Sequence, residues 1–563
     1  MACADVRAGW HARSDCVKSI RMPHSPAPRR ARLSRPEVIA LVISVVGGVY
    51  RAFLLAADVP PTNSDEATLG LAALHISTGR EFPIFFYGQA YMGTLLAYLA
   101  APLFWVLGPS TLVLRLPTLA LYLAFVLGMY LLVRRLYSPW LAVVTVAALA
   151  LGSDRVIKNQ LIAAGGYPEI SPAAVWLLLV SVLLGANAMR PRPWVLACWG
   201  MLVGILIWDD WLILPYIAAA AAVLLTGCRE VVRRRGLLLF AAGGVLVGAA
   251  PLVIHHLTRP LSESSISAYL RLADSAADGS IADHLYGGVL FGIPMGSGLC
   301  SPSRCEPWQM WWGAAYPVLL AVAVALAVRA LRQATRAQDK VIQAGRLALL
   351  GAAALTVALY ARSGASVATP VESARYLSPL LISLPAVLWP LWAAAAALGA
   401  RLARGDLAPA ARRWARIGTV GAVAPVAGLL VTMLIATVAL VAATPQYGRQ
   451  ADQRRLLANT LERQGARHIY SDYWTCNLVT FATRERVMCA VLDEDLSPGL
   501  DRYLPYRKQV AAAETVAIVA PVASGLDARV AAWLNSTGVP YRTTAVAGYH
   551  IYHPTTRPAL PAP

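Results

Sequence analysis

About eleven apolar stretches, each near the length that crosses a bilayer, follow one another before residue 445 and restrict the fold more than any other feature. They run over 37–57, 112–133, 139–153, 171–188, 194–208, 211–227, 237–257, 312–330, 346–362, 376–399 and 418–443. Inside hydrocarbon every backbone polar group needs a partner within the protein, so such stretches read as transmembrane helices. Composition agrees, with 58% hydrophobic and only 14% charged residues. The expected fold class is therefore a polytopic α-helical membrane protein of about eleven spans, with a small extracytoplasmic α/β domain at its C-terminal end. Three regions are expected: a disordered basic tail over 1–36, a transmembrane unit with outer loops over 37–444, and the α/β domain over 445–563.

The net charge of +19 invites a nucleic-acid reading. The basic residues instead fall in short clusters between apolar stretches, the pattern that sets membrane orientation. With the Arg-rich tail inside, Arg134-Arg135, Arg190 and Arg192, Arg229 with Arg233-Arg234-Arg235, Arg329 to Arg346 and Arg401 to Arg416 all fall on the same side. Nucleic acid is not an expected partner. This topology requires that segment 91–107, short and interrupted by Pro102, lie along the outer surface instead of crossing. The outer side then holds 58–111, 154–170, Asp209-Asp210, 258–311, 363–375 and everything beyond 444. The expected location is a cell membrane, multi-pass, with the reactive groups and the C-terminal domain extracytoplasmic.

Beyond 444, polar residues return and short β-rich runs alternate with helical ones. His468-Ile469-Tyr470 opens this stretch, 487–492 and 515–520 read as buried strands, and 527–534 as an intervening helix. Cys300, Cys305, Cys476 and Cys489 all fall on the oxidising side, where Cys300–Cys305 and Cys476–Cys489 are expected disulfides. No cysteine or histidine set has zinc spacing.

The chemical signal is Asp65-Glu66, just past the first span in Pro60-Pro61-Thr62-Asn63-Ser64-Asp65-Glu66. Carboxylates beside a bilayer are costly to desolvate, so they need water, a partner or a task. The plain alternative is a helix start, with Asp65 as the cap and Glu66 in the first turn. A short helical run follows, then Gly79-Arg80-Glu81-Phe82-Pro83, Phe85-Phe86-Tyr87-Gly88-Gln89-Ala90-Tyr91-Met92-Gly93, Leu107-Gly108-Pro109-Ser110 and Arg115-Leu116-Pro117.

This ordered set resembles the GT-C superfamily of membrane glycosyltransferases, in its protein O-mannosyltransferase and aminoarabinose-transferase-like branch. The motif content covers about 37–190; beyond that the likeness rests on topology and the outer domain. The resemblance implies transfer of a sugar from a polyprenyl-phosphate donor to a cell-envelope acceptor (glycan, lipid or protein) at the outer face. Asp65 is then the candidate base, with Glu66 orienting it or touching substrate. Tyr87, Gln89 and Tyr91 are candidate substrate contacts. A departing phosphate needs cations near the outer surface, and Arg155, Lys158 and Arg375-Tyr376 stand there. Glu169, in Gly165-Gly166-Tyr167-Pro168-Glu169, is a candidate sugar contact or an exposed loop acid. Trp208 and Trp211 read as interfacial anchors. No cofactor is required; a divalent metal held by Asp209-Asp210 with Asp65 is the open alternative. Two other classes compete, a lipid or sugar flippase and a non-catalytic assembly protein. The first calls for charged or broken midplane helices and repeated halves, and the 58–135 unit has no repeat.

Overall fold

The structure, a computed structural model, describes residues 33–268, 279–302, 304–405 and 407–556. Residues 1–32 of the expected tail lie outside the described residues. Helix α1 (Arg35–Ala56) is followed by two shorter helices, α2 (Ser64–Ser77) and α3 (Leu95–Leu107), and then by the long α4 (Thr111–Leu136). Next come α5 (Pro139–Ala150), α6 (Asp154–Leu161), α7 (Tyr167–Gly185), α8 (Pro193–Asp209) and α9 (Leu214–Gly227). The series continues with α10 (Arg235–Gly248), α11 (Ala250–Thr258), α12 (Trp311–Gln333), α13 (Ala337–Arg362), α14 (Leu380–Arg404) and α15 (Pro409–Arg463). Seven of these, α1, α4, α7, α12, α13, α14 and α15, are long and apolar enough to cross a membrane. The bent pairs α5–α6 and α10–α11 raise the number to nine, and α8 and α9 are shorter apolar helices. Each of the eleven predicted stretches is thus a helix or a bent pair.

Segment 91–107 yields only the 13-residue α3, which at 1.5 Å per residue falls well short of a bilayer. Leu96, Ala97, Ala100 and Phe104 bury against α2, whereas Leu99, Trp105, Val106 and Leu107 remain exposed. Helices α8 and α10 approach backbone to backbone. A Cβ on Gly200, Gly204, Gly244 or Gly248 would lie 2.0–2.2 Å from a carbonyl oxygen of the facing helix, so small residues set this membrane-type packing.

The break between α5 and α6 decides where Arg155 and Lys158 sit. The chain turns by 91° there, through Gly152 at φ +140°, a value that side-chain-bearing residues avoid. The turn leaves the last carbonyls of α5 without helical partners. Arg51, fully buried within the first span, supplies donors. It reaches the oxygens of Leu149 at 2.9 Å, Ala150 at 3.1 Å and Gly47 at 3.2 Å, and donates twice to Gln160 Oε1 at 2.7 and 3.0 Å. All five guanidinium N–H groups are used, which is what makes an arginine tolerable at this depth. Gln160 belongs to α6, so the same side chain pins α6 crosswise.

The C-terminal unit runs β1 (His468–Ser471), α16 (Tyr473–Ala482), β2 (Met488–Val491), α17 (Leu504–Ala512), β3 (Ala517–Pro521), α18 (Gly525–Thr537), β4 (Tyr541–Val546) and β5 (Tyr549–Pro554). Its sheet has the order β2-β1-β3-β5-β4, parallel among β2, β1 and β3 and antiparallel beyond. The two predicted strands and the intervening helix correspond to β2, β3 and α18. Helix α15 continues unbroken through Pro445 to Arg463, so the change of composition at 445 falls inside a helix. Both disulfides form, Cys300–Cys305 and Cys476–Cys489, the second joining α16 to β2. Helix α16 docks on α2: Asn477 donates to Thr68 Oγ1 at 2.9 Å, and the Phe481 ring lies where a Cβ on Gly70 would come within 2.6 Å.

Candidate active site

The cap of α2 is Asn63, whose side chain accepts from the Glu66 N–H at 2.9 Å. Capping by Asp65 is therefore corrected: the Asn63 oxygen already holds that amide, and Asp65 is the second residue of the helix. Its carboxylate turns instead toward the C-terminal domain. Asp65 Oδ1 accepts from the Tyr473 hydroxyl at 2.5 Å and from Arg502 at 3.3 Å, and Arg502 Nε donates to the same hydroxyl at 2.8 Å. The guanidinium lies over Phe86 at 5.3 Å and over Tyr473 at 5.4 Å. With its amide oxygen turned toward Arg502, Gln89 accepts from the guanidinium at 2.9 and 3.2 Å and from Tyr91 at 3.2 Å. The Asp65 side chain stays 29% exposed, and Oδ2 makes no hydrogen bond among the described residues.

Glu66 does not share this cleft. Fully buried, it takes a bidentate pair from Arg115 at 2.7 and 2.5 Å and accepts from the Ala163 N–H at 3.0 Å. The expectation that it orients Asp65 or touches substrate is corrected by this geometry: the side chain points into the joint of α2, α4 and the α6–α7 turn. Arg115, from the Arg115-Leu116-Pro117 stretch, is the partner that a reading along the chain did not pair with it.

Arg155, Lys158 and Arg375 come together. Arg155 and Lys158 sit on the crosswise α6, and Arg375 in the turn before α14; all three repel one another. Arg155 is 7% exposed and donates to the Val371 carbonyl at 2.8 Å, while its Nε has no partner among the described residues. Arg375 lies 5.5 Å from the centres of both the Tyr167 and Tyr376 rings, and its Nε likewise has no partner among the described residues. Lys158 makes no side-chain hydrogen bond among the described residues. Asp154 and Glu372 are near enough to attract Arg155, yet among the described residues no carboxylate pairs with any of the three. Asp65 is near enough to act on Arg375 through space. Beside them is a small cavity of about 20 Å³ lined in part by Asn159, Gln160, Tyr167 and Ser378. Asn159 Nδ2, Gln160 Nε2 and Ser378 Oγ there also lack partners among the described residues.

The remaining candidates divide. Tyr91 faces Arg502, Arg375, Tyr376 and Asp210 and so borders the cleft. Tyr87 does not: it donates to Glu81 at 2.8 Å and meets His75 Nδ1 at 2.7 Å. That second cluster docks the C-terminal domain, since His75 Nε2 and the Tyr506 hydroxyl reach Glu485 at 2.9 and 2.8 Å and Arg80 pairs with it. Against the burial that would raise it, hydrogen bonds from His75, Arg80 and Tyr506 hold the Glu485 carboxyl at about 2. Glu169 is not an exposed loop acid; it is 3% exposed in the first turn of α7, beside Asp209. Asp209 is fully buried, and desolvation pushes the adjoining Asp210 up to about 6. Trp208 is no lipid anchor: it is buried, and its indole donates to the Ile84 carbonyl at 2.9 Å. Together with the Gly93 N–H to Asp209 carbonyl bond at 2.8 Å, it fixes the loop that carries Gln89 and Tyr91. Among the described residues no three His, Cys, Asp or Glu side chains converge as a metal site.

No protein-family model and no curated protein sequence matches the chain. Its architecture does match solved structures. ArnT from Cupriavidus metallidurans, bound to undecaprenyl phosphate, aligns over 92% of this chain and 97% of its own, with a TM-score of 0.56 and 14% identity. The apo state of the same protein aligns over the same shares at 0.54 and 14%. The chain has the GT-C fold. An oligosaccharyltransferase from Archaeoglobus fulgidus, in complex with zinc and sulfate, also aligns, over 92% of this chain and 73% of its own, at a TM-score of 0.48 and 12% identity. In this chain the groups described above are carried by the crosswise α6, the start of α2, the turn before α14 and the C-terminal domain.

Proposed function

We propose that this chain is a membrane glycosyltransferase that moves a sugar from a polyprenyl-phosphate donor to a cell-envelope acceptor at the outer face of the membrane. The observation that carries the reading is a charge imbalance: among the described residues, three clustered cations have no paired carboxylate, and Asp65, near Arg375, keeps one carboxylate oxygen without a hydrogen bond. An arginine that is 7% exposed and lacks an anion is costly unless a ligand supplies one. The unpartnered groups around it are mostly N–H donors, which suits a phosphate, an acceptor-only group rich in oxygen. In the reaction, Asp65 takes the proton of an acceptor hydroxyl while that oxygen bonds to the anomeric carbon. The anomeric C–O bond to phosphate breaks, and the electron pair leaves with the polyprenyl phosphate, whose charge Arg155, Lys158 and Arg375 neutralise. The fold shared with an ArnT structure bound to undecaprenyl phosphate supports the lipid class of the donor.

The test is consumption of synthetic decaprenyl-phosphate arabinose, mannose and glucose by the purified protein, beside binding of radiolabelled undecaprenyl phosphate. Arg155→Ala, Lys158→Ala and Arg375→Ala are each expected to weaken that binding about 10–100-fold, the worth of one charge-assisted hydrogen bond. Wild-type binding by all three would remove the phosphate assignment.

The outward orientation is tested by thiol labelling of intact cells in a background without other free cysteines. Thiols introduced at the exposed positions Thr78 and Glu514 are expected to react from outside, and one at the exposed Thr335 only after permeabilisation. The opposite pattern would place the cleft on the cytoplasmic side.

A further inference from the structure

We propose that Tyr473 and Arg502 of the C-terminal domain are positioning residues for Asp65, which makes this domain a working part of the active site and not a cover over it. The inference rests on Asp65 being the base. Asp65, Tyr473 and Arg502 form a closed triangle of three hydrogen bonds, at 2.5, 2.8 and 3.3 Å. A carboxylate held by one donor can swing about it; two donors that are also bonded to each other fix the carboxyl plane. Both occupy the same oxygen, Oδ1, so the free Oδ2 has one defined direction.

Each donor is itself fixed. Tyr473 opens α16, whose first amides are capped by Asp472 at 2.8 and 3.2 Å and which the Cys476–Cys489 bond ties to the sheet. Arg502, 9% exposed, is held from its other side by Gln89. The charged and titratable groups facing Asp65 are Tyr473, Arg502 and Arg375; Glu66, its neighbour on α2, is turned away onto Arg115.

The full-length protein in lipid nanodiscs allows a test that does not depend on knowing the sugar. The antisymmetric carboxylate stretch of Asp65 is isolated by subtracting the spectrum of Asp65→Asn. Arg502→Ala and Tyr473→Phe are each expected to shift and broaden that band, and Arg502→Lys to restore most of its wild-type position. On any donor the wild type consumes, Tyr473→Phe and Arg502→Ala should lower kcat at least about 10-fold, with little change in donor KM. An unchanged band in both Arg502→Ala and Tyr473→Phe, each folded by its melting curve, overturns the positioning role even if Asp65→Asn is inactive. Full activity in Asp65→Asn would instead overturn the reading of Asp65 as base, and with it this inference.

Discussion

Asp65→Asn is expected to lower sugar transfer by about 10²–10⁴-fold, the usual worth of a positioned base, while melting temperature and undecaprenyl-phosphate affinity stay close to wild type. The separation follows from where the side chain stands. Asn63 caps α2, so the substitution removes no cap, and an asparagine oxygen still accepts from the Tyr473 hydroxyl. The Arg155, Lys158 and Arg375 group is untouched, so the lipid phosphate keeps its partners. Only the proton acceptor is lost. Initial rates and thermal melts on the same preparation check the claim; wild-type rates at normal folding would end the assignment of Asp65 as base.

The neighbouring acid is expected to behave in the opposite way. Glu66→Gln leaves Arg115, 1% exposed, with an uncompensated charge, and breaking one side of such a buried pair costs about 3–5 kcal/mol. That is a large part of the stability of an ordinary domain. The loss should appear as a much lower melting temperature, with the remaining activity tracking the folded fraction. Arg115→Met should be equally damaging. The double variant Glu66→Leu/Arg115→Met should recover much of the loss, because a well-packed apolar pair often replaces a buried ion pair at little cost. A Glu66→Gln protein that melts like wild type yet transfers slowly would move Glu66 back among the reacting groups.

Two adjacent carboxylates thus take different roles, and the helix explains why. Successive residues on an α-helix point about 100° apart, so side chains at i and i+1 do not face the same neighbour. Asp65 looks out toward α16 and Arg502, whereas Glu66 looks in toward α4. The sequence marks both as acids at the start of a helix and offers nothing to say which one is buried. The same limit applies to Glu169, which reads as a loop acid from Gly165-Gly166 before it but lies inside the first turn of α7.

What the sequence determined by itself is the membrane class, the run of apolar helices, both disulfide pairs and two strands of the C-terminal domain. These features depend on local quantities: span length, the period of apolar residues, and the cysteines available on one side. Tertiary structure alone decided the partners of the charges. Tyr473 and Arg502 are 408 and 437 residues from Asp65, Glu485 is 410 from His75, and Arg51 reaches 109 residues to Gln160. In an apolar setting a buried charge must find a counter-charge or a set of donors and acceptors wherever the fold brings one, and the distance along the chain carries no trace of that choice.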